Sequence, residues 1–168
     1  MRALAGLRHE RVVYLGSHIF KGLAREAALK LLELTDGGVI AAWDSPLGFR
    51  HGPKTMVNAR TLVVVFVSND PYTRRYDLDL VEELCRDRRS AGVLVICGRD
   101  DDLPTGPQRV LVSGMADADD IDLLLPFVVA PQILAFEQSI AHGLSPDRPN
   151  VSGTVHRVVQ GVRIHLDG

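Results

Sequence analysis

The chain has 168 residues and a mass of 18.4 kDa, with 46% hydrophobic and 24% charged residues, which fits one globular domain and excludes a disordered tail, a collagen-like fibre and a disulfide scaffold. Nineteen Lys and Arg against 21 Asp and Glu leave a charge of −2 and no cation-rich face for nucleic acid. No apolar run reaches the roughly 18 residues of a membrane-spanning helix, and residues 1–10 are too polar for a secretory leader.

The first element is expected at Arg11-Val-Val-Tyr-Leu-Gly16, an apolar run ending in glycine that reads as a buried parallel strand. Residues 19–34 follow as a helix, with Phe20, Leu23, Ala27, Leu31 and Leu34 on one stripe. Further apolar runs predict strands at 39–43, 61–67, 93–97 and 109–112. Asp70-Pro71 supplies an N-cap and an N1 proline for a helix to about residue 88, with Leu78, Val81, Leu84 and Cys85 inward. The basic groups Arg74-Arg75 and Arg86-Asp87-Arg88-Arg89 belong to that helix and read as solvated charge. A last helix is expected at 131–142, closed by Gly143.

Continuous apolar strands imply a sheet covered on both faces. The chain is therefore predicted to be α/β, a three-layer α/β/α sandwich around a parallel, flavodoxin-like sheet of about five strands. Ligands bind such sheets beyond the strands' carboxyl ends, which directs attention to the loops after the first three strands. Residues 1–143 form the domain; 144–168, with a strand-like run at 158–164, is expected to fold back over it.

Leu15-Gly-Ser-His-Ile-Phe-Lys-Gly22 opens a helix after a strand, and Asp44 ends the second strand. Yet His18 stands where a dinucleotide turn needs its second glycine, and no Gly-Lys-Ser/Thr of a P-loop is present. No cofactor is expected. The six histidines show no pair at metal-ligand spacing, so no metal is expected either. Cys85 and Cys97 lack Cys-x-x-Cys spacing and read as reduced thiols in a cytoplasm.

Glu26, Lys30 and Glu33 share one face of the first helix, spaced i, i+4, i+7. As a solvated ion-pair set they would only support the helix. As a partly desolvated carboxylate at the end of a helix rimming the ligand crevice, Glu33 would be a useful base. The loop Asp44-Ser-Pro-Leu-Gly-Phe-Arg-His-Gly-Pro-Lys54 holds His51 between Arg50 and a Gly-Pro turn. That imidazole is either merely exposed or functional.

These residues carry a resemblance. Gly22-Leu-Ala-Arg-Glu-Ala-Ala-Leu-Lys-Leu-Leu-Glu-Leu34, the Arg50-His-Gly-Pro53 loop and Val65-Phe-Val-Ser-Asn-Asp-Pro-Tyr72 resemble a sugar isomerase (SIS) domain. More narrowly, residues 44–54, Ser145-Pro-Asp147 and Gly153-Thr-Val-His-Arg-Val-Val-Gln-Gly161 are similar to the C-terminal half of the tagatose-6-phosphate ketose/aldose isomerase family, also described as galactosamine-6-phosphate deaminase/isomerase. The resemblance implies that Glu33 moves a proton between C1 and C2 of the open-chain sugar. It implies that His51 helps to open the ring, as a histidine lent across a dimer interface in the related glucosamine-6-phosphate synthase. It further implies substrate-binding roles for Glu26, Ser17, Arg50, Lys54 and Gln160, the last standing where the synthase tail carries a lysine.

Such proton transfer passes through a cis-enediol, or an enolamine when C2 carries nitrogen, and one carboxylate can perform it without a metal. A sugar phosphate also needs backbone amides and hydroxyls at a helix N-terminus. Gly16-Ser17 and Ser68-Asn-Asp70 offer few hydroxyls, and the second holds an acid. In the family the resemblance names, that phosphate turn belongs to the first of two tandem SIS domains. The expectation is an isomerase/deaminase half that binds a sugar phosphate and pairs with itself or with another SIS domain, with no nucleic-acid or membrane partner. Its rivals are a non-catalytic sugar-phosphate sensor and a remnant that needs a partner. An exposed apolar patch is expected where a partner docks.

Overall fold

The computed structural model describes residues 6–151, 153, 161 and 163–165. Its five parallel strands are β1 (Arg11–Gly16), β2 (Ile40–Asp44), β3 (Thr61–Phe66), β4 (Gly92–Cys97) and β5 (Gln108–Leu111), in the order β2-β1-β3-β4-β5. Between and after them run α1 (Ile19–Leu34), the short α2 (Pro46–Arg50), a 3-10 turn (Pro53–Met56), α3 (Pro71–Asp87) and α4 (Asp120–Ala141). This is the doubly wound arrangement that the apolar runs predict, with its switch point between β1 and β3.

The two-residue period of the strands sorts the layers. Val12, Tyr14, Leu62, Val64, Phe66, Leu94 and Ile96 meet α1 and α4 on one face. Val13, Leu15, Val63, Val65, Val93 and Val95 meet Leu80, Val81 and Leu84 of α3 and Phe49 of α2 on the other. At the centre of the first layer Phe20 and Phe127 lie 5.2 Å apart between ring centroids, with Phe66 beside both.

α3 begins as its sequence predicts. The Asp70 carboxylate accepts the Thr73 N–H at 2.8 Å, and Arg88 ends the helix in the left-handed region at φ 50. Its buried face differs from expectation: Leu78 and Cys85 are only partly buried, whereas Thr73, Arg74, Asp77, Leu80, Val81 and Leu84 are buried. The inward stripe begins at two charged residues, which apolar patterning does not register.

α4 starts at Asp120 and not at 131, so Pro126 and Pro131 lie inside it. Each proline removes a helical hydrogen bond. Burial of Leu123, Phe127, Ala130, Leu134 and Ala135 against α1 and the sheet outweighs that loss. With 22 residues, α4 is long and apolar enough to cross a membrane by length and composition, which the sequence reading did not anticipate. In the fold, that buried face belongs to the core.

The β1–α1 turn is constrained at two positions. A β-carbon on Gly16 would lie 2.4 Å from the Phe20 carbonyl oxygen. His18, at the N-cap of α1, holds φ 46 and ψ −119, a region that a β-carbon disfavours, and makes no side-chain capping bond. His18→Gly is expected to stabilise the domain by about 1 kcal/mol, a rise of a few degrees in Tm. Thermal unfolding checks this, and a lower Tm would mean that the imidazole itself holds the turn.

Beyond α4, the chain turns at Gly143 and closes a bridge between Ser145 and Arg148. Asn150 Nδ2 then donates to Asp36 Oδ1 at 2.6 Å, just past the end of α1. Gln160 and most of the strand-like run at 158–164 lie outside the described residues.

Candidate active site

At the carboxyl edge of the sheet, the turns after β1 and β3 meet two carboxylates. Ser17 Oγ donates to Asp77 Oδ1 at 2.6 Å, and the Ser68 N–H donates to Asp77 Oδ2 at 3.0 Å. Ser68 Oγ donates to Asp120 Oδ2 at 2.5 Å, and the Asn69 N–H donates to Asp120 Oδ1 at 2.8 Å. In an anion-binding domain, such hydroxyls and amides would face the ligand. Here Asp77 of α3 and Asp120 of α4 accept them. A cavity of about 340 Å³ above this edge is lined by Asp70, Asp117, Asp119 and Asp120, with Arg99 as its one cation. Like charge disfavours a phosphate there. Ser17, expected to bind substrate, donates its hydroxyl to Asp77 instead.

Asp77 is fully buried, and burial pushes its carboxyl up to about 6, against the pull of the Ser17 and Ser68 hydrogen bonds. The folded state therefore binds more protons than the unfolded state between about pH 4 and pH 6. Its contribution is fully present below the unfolded pKa and is lost as pH rises through the folded one. Relative to Asp77→Asn, the native protein is expected to lose about 3 kcal/mol of stability from pH 4 to pH 7. Urea unfolding across that range checks it; parallel pH curves for the two proteins would refute the assignment.

Arg74, grouped in the sequence with Arg75 as solvated charge, is 2% exposed. Its Nη1 donates to the Ser68 carbonyl at 3.1 Å and its Nη2 to the Arg99 carbonyl at 3.0 Å, while Nε meets the Asp102 carboxylate at 2.8 Å. It ties the turn after β3 to the loop after β4.

His51 closes α2 after β2. Ser45 caps that short helix by accepting the Gly48 N–H at 3.1 Å, and buried Phe49 anchors it. The His51 N–H donates to the Gly48 carbonyl at 3.2 Å, and the residue is exposed. Arg50 and Lys54, expected to bind substrate, turn to α3. Arg50 Nε and Nη2 reach Glu83 Oε2 at 2.8 and 2.5 Å; Lys54 pairs with Glu83 and, at 2.5 Å, with Asp87. Both cations are neutralised within the domain. Asp44 likewise pairs with Lys21 at 3.1 Å.

Glu33 lies elsewhere. A crossover helix runs against its strands, so α1 starts at the carboxyl edge of the sheet and ends at the amino edge, where Ile40 of β2 pairs with Arg11 of β1. Glu33 therefore does not rim the crevice beyond the carboxyl ends, contrary to expectation. Lys30 Nζ contacts Glu33 Oε2 at 2.7 Å and Glu26 Oε1 at 3.8 Å. The hydrogen bond to Glu33 raises the Lys30 ammonium above its usual range. Glu33 and His51 of one chain thus lie towards opposite edges of the sheet, Glu33 at the amino edge and His51 after the carboxyl end of β2. Among the described residues, no three His, Cys, Asp or Glu side chains converge as a metal site.

No family model matches the chain. It is 49% identical over 156 residues to the D-galactosamine-6-phosphate deaminase AgaS of Escherichia coli O157:H7, which covers 93% of this chain and 41% of that protein. It is 46% identical over 156 residues to D-galactosamine-6-phosphate deaminase AgaS of Shewanella sp. ANA-3, covering 93% and 38%. The crystal structure of tagatose-6-phosphate ketose/aldose isomerase from Escherichia coli matches with a TM-score of 0.81 at 42% identity, over 92% of this chain and 41% of that one. The chain has an SIS-domain fold. The C-terminal domain of glucosamine-fructose-6-phosphate aminotransferase from Francisella tularensis shares its fold, with a TM-score of 0.72 at 19% identity over 86% of this chain and 40% of that one. The chain spans about two fifths of the length of the curated relatives it matches, and it is related to their C-terminal half. Its sequence singles out Glu33 and His51 but not Asp77, Asp120 or Arg74. The available signal was a carboxylate and a guanidinium three residues apart on the otherwise apolar stripe that continues through Leu80, Val81 and Leu84.

Proposed function

We propose that this chain is the acid–base half of a sugar-phosphate isomerase/deaminase acting on galactosamine 6-phosphate or tagatose 6-phosphate. The observation that carries the proposal is the position of Glu33. It stands beside Lys30 on the outer face of α1, away from the acid-lined crevice, in a chain that over 93% of its length is similar to a D-galactosamine-6-phosphate deaminase. On an open-chain amino sugar, the Glu33 carboxylate takes the proton from C2, and the released electron pair forms the C1–C2 double bond of the enolamine while the C1 carbonyl oxygen gains a proton from solvent. The protonated carboxyl then returns its proton to C1 as the nitrogen gives one up to solvent, leaving an imine at C2. Water adds to C2, ammonia leaves, and the ketose remains. With a hydroxyl at C2 the same transfer passes through a cis-enediol and consumes no water. Lys30 places positive charge beside the base. His51, from a second copy, moves the proton between the ring oxygen and solvent as the ring opens.

A sensor reading is weaker on one observation. At the crevice in which a lone doubly wound domain would hold its ligand, the turn hydroxyls and amides are taken up by Asp77 and Asp120. The test is a hybrid in which this chain replaces the matched 156 residues of the Escherichia coli relative. The hybrid is expected to convert galactosamine 6-phosphate with release of one ammonia per ketose formed. Saturable binding of the sugar phosphate without turnover would favour the sensor.

A further inference from the structure

The two edges of the sheet carry opposite charge. The cavity at the carboxyl edge is lined by four aspartates and one arginine. A larger cavity, about 520 Å³, lies at the amino edge and is lined by Arg8, Arg11, Arg60, His9 and His142, with Glu10 as its one carboxylate. Topology gathers these residues. β1 and β3 are adjacent and parallel, so Arg8-His-Glu-Arg11, which leads into β1, lies beside Arg60, which leads into β3. Backbone bonds fix the floor: the Glu10 N–H donates to the Arg60 carbonyl at 3.2 Å, and the Ile40 N–H donates to the Glu10 carbonyl at 2.9 Å. α4 ends over the same edge, where Arg8 Nε donates to the Ala141 carbonyl at 2.7 Å.

Internal contacts use little of what these cations offer. Among the described residues, Arg8 donates only through that Nε, Arg11 only through Nη1 to the Met56 carbonyl at 2.7 Å, and Arg60 pairs only with Glu10. Each guanidinium keeps further N–H donors to spare. Arg11 Nε and His142 Nε2 are buried with no hydrogen-bond partner in the protein, a costly state for polar atoms of a lining. Helix ends account for part of the charge: the carboxyl ends of α1 and α4 add about half a negative charge each. With Glu10 they offset about two of the three guanidiniums, and an excess of about one positive charge remains.

We infer that this amino-edge cavity binds a phosphate monoester, at a site separate from the one proposed around Glu33. Guanidiniums from three separate segments suit a tetrahedral dianion, whose oxygens point in several directions, better than a flat carboxylate that a single arginine grips. The volume lies within the range of small-molecule sites, roughly 300–1,000 Å³, and exceeds what a bare phosphate fills. Ile40, 58% exposed on the same wall, gives the organic group of the ester an apolar surface. Glu33, Ser17, Arg50 and Lys54 are not among the lining residues. The inference does not rest on the proposed function, because binding is read without turnover.

The test is calorimetric titration of the full chain with inorganic phosphate, glucose 6-phosphate and AMP. One of the two esters is expected to bind one per chain and at least tenfold tighter than inorganic phosphate. Glucose 6-phosphate as the tighter ligand would mark a sugar as the organic group, and AMP a nucleoside. Arg8→Gln combined with Arg60→Gln, at two exposed positions, should weaken that binding at least tenfold. Arg75→Gln combined with Arg86→Gln, exposed on α3, removes the same charge far from the cavity and should leave the affinity unchanged. Thermal unfolding without ligand should match the native chain within a degree or two for both double variants. Esters that bind no tighter than inorganic phosphate would overturn the inference. So would full affinity in the Arg8/Arg60 variant, or an equal loss in the α3 variant.

Discussion

Glu33→Gln in the hybrid enzyme is expected to lower kcat about a thousandfold while KM changes by less than about threefold. The substitution keeps the shape and the helix position and removes only the ability to take up a proton. Glu33 is on the outer face of α1 and its side chain is 44% exposed, so the folded domain tolerates the change, and Tm should move by no more than a degree or two. Glu26→Gln, which lies 3.8 Å from Lys30 on the same face, should instead act mainly on KM, because its proposed role is to orient the sugar. Steady-state kinetics of ammonia release separate the two. Turnover of the Glu33→Gln hybrid at the native rate would remove Glu33 from the chemistry.

The largest expected effect on stability is at Arg74. Arg74→Ala leaves the Ser68 and Arg99 carbonyls without their donor inside the protein, opens a cavity under the turn after β3, and frees Asp102. The expected cost is about 3 kcal/mol, measured by urea unfolding at pH 7. Arg75→Ala, one residue along and exposed, should cost less than about 0.5 kcal/mol. The hydrogen bond from Arg74 holds the Asp102 carboxyl below its usual range, against the opposing effect of burial. The share of the loss that belongs to this pair is therefore present above the ordinary carboxylate pKa and is lost as pH falls through the depressed one. Equal losses at Arg74 and Arg75 would mean that the guanidinium is not structural.

The sheet was legible because a parallel strand covered on both sides must be apolar at every position, as in Leu62 to Phe66. α1 was legible from its single stripe, and the start of α3 from Asp70-Pro71. α4 was half hidden, because Pro126 and Pro131 read as boundaries and only tertiary burial of residues on both sides keeps them helical. In the candidate site, Glu33 and His51 stood out as residue types in unusual settings, but their separation did not. It follows from the antiparallel run of a crossover helix, a topological fact carried by no local pattern. Asp77 and Arg74 escaped for the opposite reason: charged residues on a helix read as solvated unless their partners, Ser17 and the buried Ser68, are known to lie across the sheet's edge.

The separation of Glu33 from His51 also gives the sharpest test. If each working site takes its base from one copy and its histidine from another, hybrids carrying Glu33→Gln and His51→Asn are each inactive alone. Mixed in equal amounts and allowed to exchange subunits, half of the pairs are heterodimers with one intact site of two, so activity should recover to about a quarter of the native value. Recovery to that level is the predicted result. No recovery, from two variants shown to be folded and exchanging, would contradict a site shared between copies.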